Sequence, residues 1–196
     1  MNGLTKYLGV TAAALALTLF AGAEDTPRNS AASSDQLVSA NAELQTNVDA
    51  KTAKQGDAVT AKLSGTVHLN GTTLPRNTVL VGHIDSVQPS QNSGVSKVVV
   101  TFDQAKLGNG QNIPVKSTLV GVYPAGTMLT PLNLNPELQV DQQPSGAHGL
   151  SLASNVQAAN SGTLSANGRD VHLTKGTELQ FAVTPGTASA SSSTGN

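Results

Sequence analysis

AVTAKLSGTVHL, residues 58–69, is the stretch of the chain that decides the fold. Apolar or small residues alternate with polar residues along it, and the apolar members include Val59, Leu63 and Leu69. Successive side chains of a β-strand point to opposite faces, so a period of two is typical of a strand with one buried and one solvated face. Burial of each large side chain contributes about 1.5 to 3 kcal/mol. The stretch therefore predicts a half-buried strand.

Other alternating or β-branched segments predict five more strands. Their ranges are 42–48, 78–88, 96–104, 111–123 and 179–183. Asn-Gly pairs at 70–71, 109–110 and 167–168 lie beside such segments, and both residue types tolerate the positive φ of a tight type I′ hairpin turn. Only residues 49–55 look briefly helical, and they are too few for a stable helix. We expect an all-β fold, a single antiparallel β-barrel or sandwich built from hairpins.

A short sequence repeat lies at the starts of two predicted strands. LPRNTVL at 74–80 is followed later by LTKGTEL at 173–179. Each copy has a basic residue, then Asn77 or Gly176, which can adopt positive φ, and then a Thr that starts the strand. Two copies are too few for a solenoid or a propeller. The repeat therefore predicts a barrel or sandwich whose two halves use the same corner.

The first of these corners carries a family resemblance. The stretches concerned are LPRNTVLVGHI (74–84), VVVTFD (98–103) and NGQNIPV (109–115). They resemble a group of small, uncharacterised secreted bacterial proteins with an L-P-x-G-T-x-L-x-G corner. In this chain Asn77 replaces the usual Gly of that corner. More distantly, residues 54–123 are similar to the β-barrel of TrbI-like conjugation-channel proteins. The resemblance implies a barrel and not a pore, because those channel proteins have an apolar helical hairpin where this chain has the polar segment 124–161.

The N-terminal residues predict export. Lys6 precedes an uncharged apolar run at 8–20, and Ala21-Gly22-Ala23 has the small-x-small pattern of a signal-peptidase site. The run is shorter than the roughly 17 to 25 residues of a membrane-spanning helix. Ala23 also stands where a lipoprotein would have its lipid-bearing Cys. We expect a signal peptide at 1–23, cleavage after Ala23, and no stable membrane insertion, so that the protein is periplasmic or extracellular.

The remainder of the chain predicts one domain with polar margins. Residues 24–40 are interpreted as a flexible linker, 41–184 as the β domain and 185–196 as a disordered tail. Inside the domain, residues 124–161 are polar, contain four prolines and show no period. A loop of that length is usually functional or disordered.

Composition excludes several functional classes. The chain has 11 Lys and Arg against 12 Asp and Glu and shows no basic stripe, so nucleic acid and anionic membrane have no electrostatic reason to bind. Cysteine is absent, which excludes disulfides, thiolate metal sites and a Cys nucleophile. Trp is also absent, so Val, Leu, Ile and Ala must form the core.

Two pairs of residues have the spacing of metal ligands. His83-x-Asp85 and Asp170-x-His172 each place two ligand types on one face of a strand. Two such pairs on neighbouring strands would close a His2Asp2 site. Four solvated polar residues on an outer face have the same pattern, and we expect no metal and no cofactor.

Hydrolytic chemistry has candidates but no scaffold in the sequence. His148 lies near Ser151 and Asp141, but the chain has no Gly-x-Ser-x-Gly elbow to position a triad. Asp103, Glu137 and Asp141 would suit glycoside hydrolysis, which also needs aromatic residues to hold sugar rings. Outside the predicted signal peptide those available are Tyr123, Phe102 and Phe181, and the two Phe lie in core register.

The sequence favours an exported, non-catalytic β domain with a binding or structural role in the cell envelope. The partner would be an envelope protein or polymer, and neither the ligand nor the oligomeric state follows from the sequence. A hydrolase with residues 124–161 as its lid is one alternative. A metal-binding protein using the two His/Asp pairs is the other.

Overall fold

The computed structural model describes residues 36–92, 94–135, 137–144 and 149–186. Within these ranges the fold is all-β without a helix, which confirms the predicted class. The strands are β1 (Val38–Leu44), β2 (Val48–Asp49), β3 (Ala58–Leu63), β4 (Val67–Leu69), β5 (Thr72–Leu74), β6 (Val79–Gln88), β7 (Val95–Lys106), β8 (Asn112–Tyr123), β9 (Gln139–Pro144), β10 (Leu150–Asn155), β11 (Gly162–Asn167), β12 (His172–Leu173) and β13 (Glu178–Pro185). The predicted signal peptide and most of the predicted linker and tail lie outside the described residues.

Six antiparallel strands close into a barrel. Their order is β6, β3, β1, β13, β8 and β7, and β7 pairs back to β6. Closure gives each of these strands a neighbour on both sides. The aliphatic side chains of the inner face fill the interior, and Phe102 and Phe181 meet there edge to face with ring centres 5.2 Å apart. The architecture is therefore a barrel and not a sandwich, and both Phe lie in the core as predicted.

The sheet branches at β7. The N-terminal half of β7 pairs with β11, whereas only its last residues pair with β8. Buried Ser161 fills the branch point. Its Oγ accepts the N–H of Phe102 (2.8 Å), its own N–H donates to Val100 O (2.9 Å), and its carbonyl accepts the N–H of Leu119 (2.8 Å). Ser161 thus holds β7 and β8 together where their direct pairing ends, and β10 and β9 extend the sheet beyond β11.

Residues 124–161 are not the single polar loop that the prolines predicted. They contain β9 and β10, and β10 buries Leu150 and Leu152 in the core. The strand reads LSLASN, so its outward positions carry only Ser, Ala and Asn and its period covers six residues. An alternation that short gives a weak signal beside four prolines.

The predicted strand at 58–69 is interrupted. It forms β3 and β4, separated at residues 64–66, all three of which are exposed; burial alternates as predicted on either side, from Val59 to Leu63 and from Val67 to Leu69. The predicted strand at 42–48 is divided in the same way between β1 and β2. β1 also begins at Val38, within the predicted linker, because it pairs with the end of β13.

Two local predictions of turn and helix also change. Residues 50–57 contain turns and no helix, with the N–H of Ala53 bonded to Asp49 O at 2.8 Å. In all three Asn-Gly pairs only the glycine has positive φ, so none is a type I′ turn. The pairs at 70–71 and 109–110 do connect hairpins, whereas the pair at 167–168 ends β11 without one.

Four of the six barrel strands, β1, β3, β6 and β13, belong to two equivalent units. The first corner unit is β3, β4, β5, the turn at 75–78 and β6. The second corner unit is β1, β2, β12, the turn at 174–177 and β13. In each turn the last residue's N–H bonds to the first residue's carbonyl at 3.1 Å, and the third residue, Asn77 (φ 69°) or Gly176 (φ 90°), has positive φ. The predicted shared corner is confirmed.

Each corner turn joins the barrel through the same two bonds. In the first unit the N–H of Leu63 donates to Thr78 O (2.9 Å), and the N–H of Asn77 donates to Leu63 O (3.0 Å). In the second unit Leu44 bonds in the same way to Thr177 and Gly176, both at 2.8 Å. The two units are thus related by an approximate two-fold rotation between β1 and β3.

Candidate functional site

His83 and Asp85 lie together on β6. His83 Nε2 is 3.1 Å from Asp85 Oδ1, and the other oxygen of Asp85 accepts a hydrogen bond from Thr101 Oγ1 at 2.6 Å. Thr101 lies across from His83 on β7. The pair is therefore part of a half-exposed polar patch that ties β6 to β7.

Asp170 and His172 have different partners. Asp170 Oδ1 accepts the N–H of Ser90 at 2.6 Å, and its Oδ2 lies 3.5 Å from Lys51 Nζ. His172 Nδ1 lies 3.0 Å from Asp49 Oδ2, the residue opposite it on β2. Sequence reasoning did not identify Asp49 or Lys51. The signal that would have identified them is the predicted equivalence of the two corners, which pairs β2 with β12 as β4 pairs with β5.

The described residues place no three His, Asp or Glu side chains close enough to hold one metal ion. In each His/Asp pair the carboxylate already accepts a hydrogen bond from the protein: Asp85 from Thr101, and Asp170 from Ser90. The described geometry thus gives no basis for the His2Asp2 arrangement.

Asp49 is held in its ionised form. Its Oδ1 accepts the backbone N–H of Lys51 at 2.8 Å, and this bond is the main reason that the pKa of Asp49 lies below its ordinary value. Partial burial opposes the change, while His172 and the charge of Lys51 add to it. An ionised Asp49 fixes the orientation of the His172 ring through Nδ1.

A cavity of about 400 Å³ lies beside the second corner turn. Its apolar wall includes Leu150 and Leu173, and its polar wall includes Arg169, Asp170 and His172. The guanidinium of Arg169 passes so close to Gly149 (φ 63°) that a Cβ there would lie 2.5 Å from Nη2. A residue with a side chain at 149 would therefore displace Arg169.

A second feature is an extended segment at residues 127–135, here called the strap. It contains no strand, and side chains of the barrel hold its backbone. Asn41 Nδ2 donates to Leu129 O (3.0 Å), Gln180 Nε2 donates to Thr130 O (2.8 Å), and Ser39 Oγ accepts the N–H of Leu132 (3.0 Å).

Other candidates from the sequence lie on separate elements. Asp103 is exposed on β7, Glu137 is exposed before β9, and Asp141 on β9 accepts a hydrogen bond from Gln139. Ser151 lies on β10, and His148 lies outside the described residues. Tyr123, at the end of β8, is half-buried.

Comparison with known proteins identifies no relative. No protein-family model matches the chain, and neither the curated proteins nor the solved structures contain a significant match. The resemblance to secreted bacterial proteins and to TrbI-like barrels therefore stays a prediction. Among the described residues no helix has the length and apolar character needed to cross a membrane.

Proposed function

We propose that this protein is an exported, non-catalytic binding domain of the cell envelope, and that the strap is its recognition element. The observation that carries the proposal is the contrast within the strap between a fixed backbone and free side chains. Met128 is 98 % exposed and Leu132 is 43 % exposed.

The backbone of the strap is fixed by a relay of amides. Gln180 is only 2 % exposed, and its Nε2 donates both to Thr130 O and to Asn41 Oδ1 (3.1 Å), which orients the Asn41 amide toward Leu129 O. Buried amides need their hydrogen bonds, so releasing the strap carries a cost. A partner would thus meet a segment that is already ordered, which lowers the entropy lost on binding.

The exposed side chains suit a partner with an apolar groove. Met128 gains almost nothing for folding in its exposed position and Leu132 is only partly covered, whereas full burial of such a side chain contributes about 1.5 to 3 kcal/mol. Methionine adapts its shape to irregular apolar surfaces. We infer that the partner is an envelope protein that covers these two side chains.

Site-specific photocrosslinking tests the recognition element. A photoreactive residue at Met128 in the exported protein should give a defined adduct with one envelope protein. The same residue at Val95, a 41 % exposed apolar position on β7, is the matched control and should not give that adduct. The double change Met128→Ser and Leu132→Ser should abolish the adduct formed from a crosslinker at Thr127. Equal adducts from positions 128 and 95 would contradict the proposal.

Export is tested separately. Mass spectrometry of the protein recovered from the envelope or medium should show a chain that begins at Glu24. An intact N-terminus would refute the predicted signal peptide, and the crosslinking result would still stand or fall independently.

A further inference from the structure

We propose that the cavity beside the second corner turn binds a small organic carboxylate, with Arg169 as the residue that receives the carboxylate group. The inference is independent of the strap, because no residue of the strap lines this cavity.

Comparison of the two corner units separates scaffold residues from Arg169. The two units can be matched position by position. The pair Asp49–His172 of the second unit corresponds to His68–Thr73 of the first. The next pair, Lys51–Asp170, corresponds to the turn residues Asn70-Gly71. The register of the corner therefore accounts for the positions of Asp49, Lys51, Asp170 and His172. Arg169 lies one residue beyond the last equivalent position.

Within the described ranges no hydrogen bond or ion pair engages the guanidinium of Arg169, although Asp170 follows it directly in the chain. The carboxylate of Asp170 is already committed to Ser90 N–H and Lys51 Nζ. The planar guanidinium presents a fork of donors that matches a carboxylate in a bidentate pair.

The rest of the cavity fixes the class of ligand. Its volume of about 400 Å³ exceeds what an inorganic anion fills, and it lies in the range of small-molecule sites. Leu150, Leu173, Pro124 and Ala125 form an apolar wall that would cover a short hydrocarbon chain. His172, oriented by Asp49, adds a polar ring to the lining. Together these features favour a monocarboxylate with an apolar tail of a few carbons.

The test is a titration of the folded full chain with hexanoate, followed by amide chemical shifts in NMR. We expect saturable shifts at Gly149, Leu150, Leu173 and Thr174. Hexanol lacks the charge and inorganic phosphate lacks the tail, so each should bind at least tenfold more weakly than hexanoate.

Variants test the role of Arg169. Arg169→Gln should weaken hexanoate binding by at least tenfold, which corresponds to about 1.4 kcal/mol, and Arg169→Lys should give an intermediate affinity. Arg76→Gln, at the turn of the first unit, is the matched control and should bind like the wild type. Absent or non-saturable shifts in the wild-type protein would overturn the proposal, as would equal binding of hexanol or phosphate. Unchanged affinity in Arg169→Gln would overturn it too, and that variant's spectrum shows whether it is folded.

Discussion

The two corner units share a scaffold but close it differently. In the first unit the short strands β4 and β5 are joined covalently by Asn70-Gly71. In the second unit the equivalent strands β2 and β12 are separated by residues 50–171, and the ion pair of Lys51 and Asp170 stands where the turn would be. The two-residue turn of the first unit and the ion pair of the second unit thus support the same register between their short strands.

The difference shows which unit is free to vary. Because the corner bonds of Leu44 and Leu63 are the same, the scaffold itself does not require charged residues. The Lys51–Asp170 ion pair, the cavity and Arg169 all lie beside the second unit, where the chain is open. Functional variation is expected at the open unit, while the first unit serves as a structural reference.

The largest expected effect tests whether the two units contribute equally to stability. Leu44→Ala and Leu63→Ala each remove a buried side chain, and the two leucines occupy equivalent positions in the two units. Each should lower the free energy of unfolding in urea by about 2 to 5 kcal/mol, and the two losses should agree within about 1 kcal/mol. Lys62→Ala, on the outer face of β3, should cost much less. Unequal losses from the two leucines would break the energetic equivalence.

The next effect compares the third residue of each turn. Gly176→Ala should cost about 1 to 2 kcal/mol, because a residue with a Cβ is disfavoured at positive φ. The new Cβ would lie 3.4 Å from Ala125 Cβ, an ordinary contact, so the cost is conformational. Asn77→Gly should change stability by only a few tenths of a kcal/mol, since Asn tolerates this φ. A thermal melt that ranks the variants in the opposite order would contradict this account.

A smaller effect comes from the strand positions that follow the turns. Glu43 and Glu178 are directly opposite, whereas the first unit pairs Lys62 with Val79. Burial, and then the charge of Glu43, raise the pKa of Glu178. Glu178→Gln, which like Val79 of the first unit carries no charge, leaves Glu43 opposite Lys62 and should therefore stabilise the protein by about 0.2 to 1 kcal/mol at pH 7.

The pH dependence of this pair has a definite sign. The folded state holds the Glu178 proton more tightly than the unfolded chain does, so the wild-type protein loses stability as pH rises through the raised pKa. The advantage of Glu178→Gln should thus shrink at acid pH, where Glu178 is protonated. A constant advantage across a pH series of urea melts would show that the charge of Glu178 is not its source.

The smallest effect concerns the two cross-strand pairs. Double-mutant cycles to Ala should give about 0.2 to 1 kcal/mol of coupling for Asp49–His172 at pH 7. Because the pKa of Asp49 is lowered, this coupling should be lost only as pH falls through that lowered value. The hydrogen bond of His68 Nδ1 and Thr73 Oγ1 (3.2 Å) has no carboxylate, so its coupling should persist at acid pH. Loss of both couplings together would indicate general acid unfolding.

Much of the fold is predictable because long strands carry long alternations. The predictions at 78–88, 96–104 and 111–123 match β6, β7 and β8 to within a few residues. The strap and β10 were beyond prediction. The backbone of the strap is held by polar side chains on distant strands, and such contacts leave no period in the sequence. β10 shows its period over only six residues.

The sequence contains more evidence for the two-fold relation than the repeated corner alone. AELQTNV at 42–48 and AKLSGTV at 61–67 share Ala, Leu and Val at the same spacing, and those residues are buried in both units. Aligning them would have paired β2 with β12 and so identified Asp49 as the partner of His172. The cavity beside Arg169 could not follow from this, because it depends on Leu150 and Gly149, which lie outside both units.

The pairing of Val38 with Val183 places the two ends of the barrel side by side. Directly opposite residues of antiparallel strands have Cα atoms about 4.5 to 5.5 Å apart. The start of β1 and the end of β13 therefore lie beside each other. A circular permutant that joins these ends through a short linker and opens at Asn70-Gly71 would retain every barrel strand. Moving the ends in this way would relocate any fused tag or tether to the β4–β5 hairpin of the first corner unit.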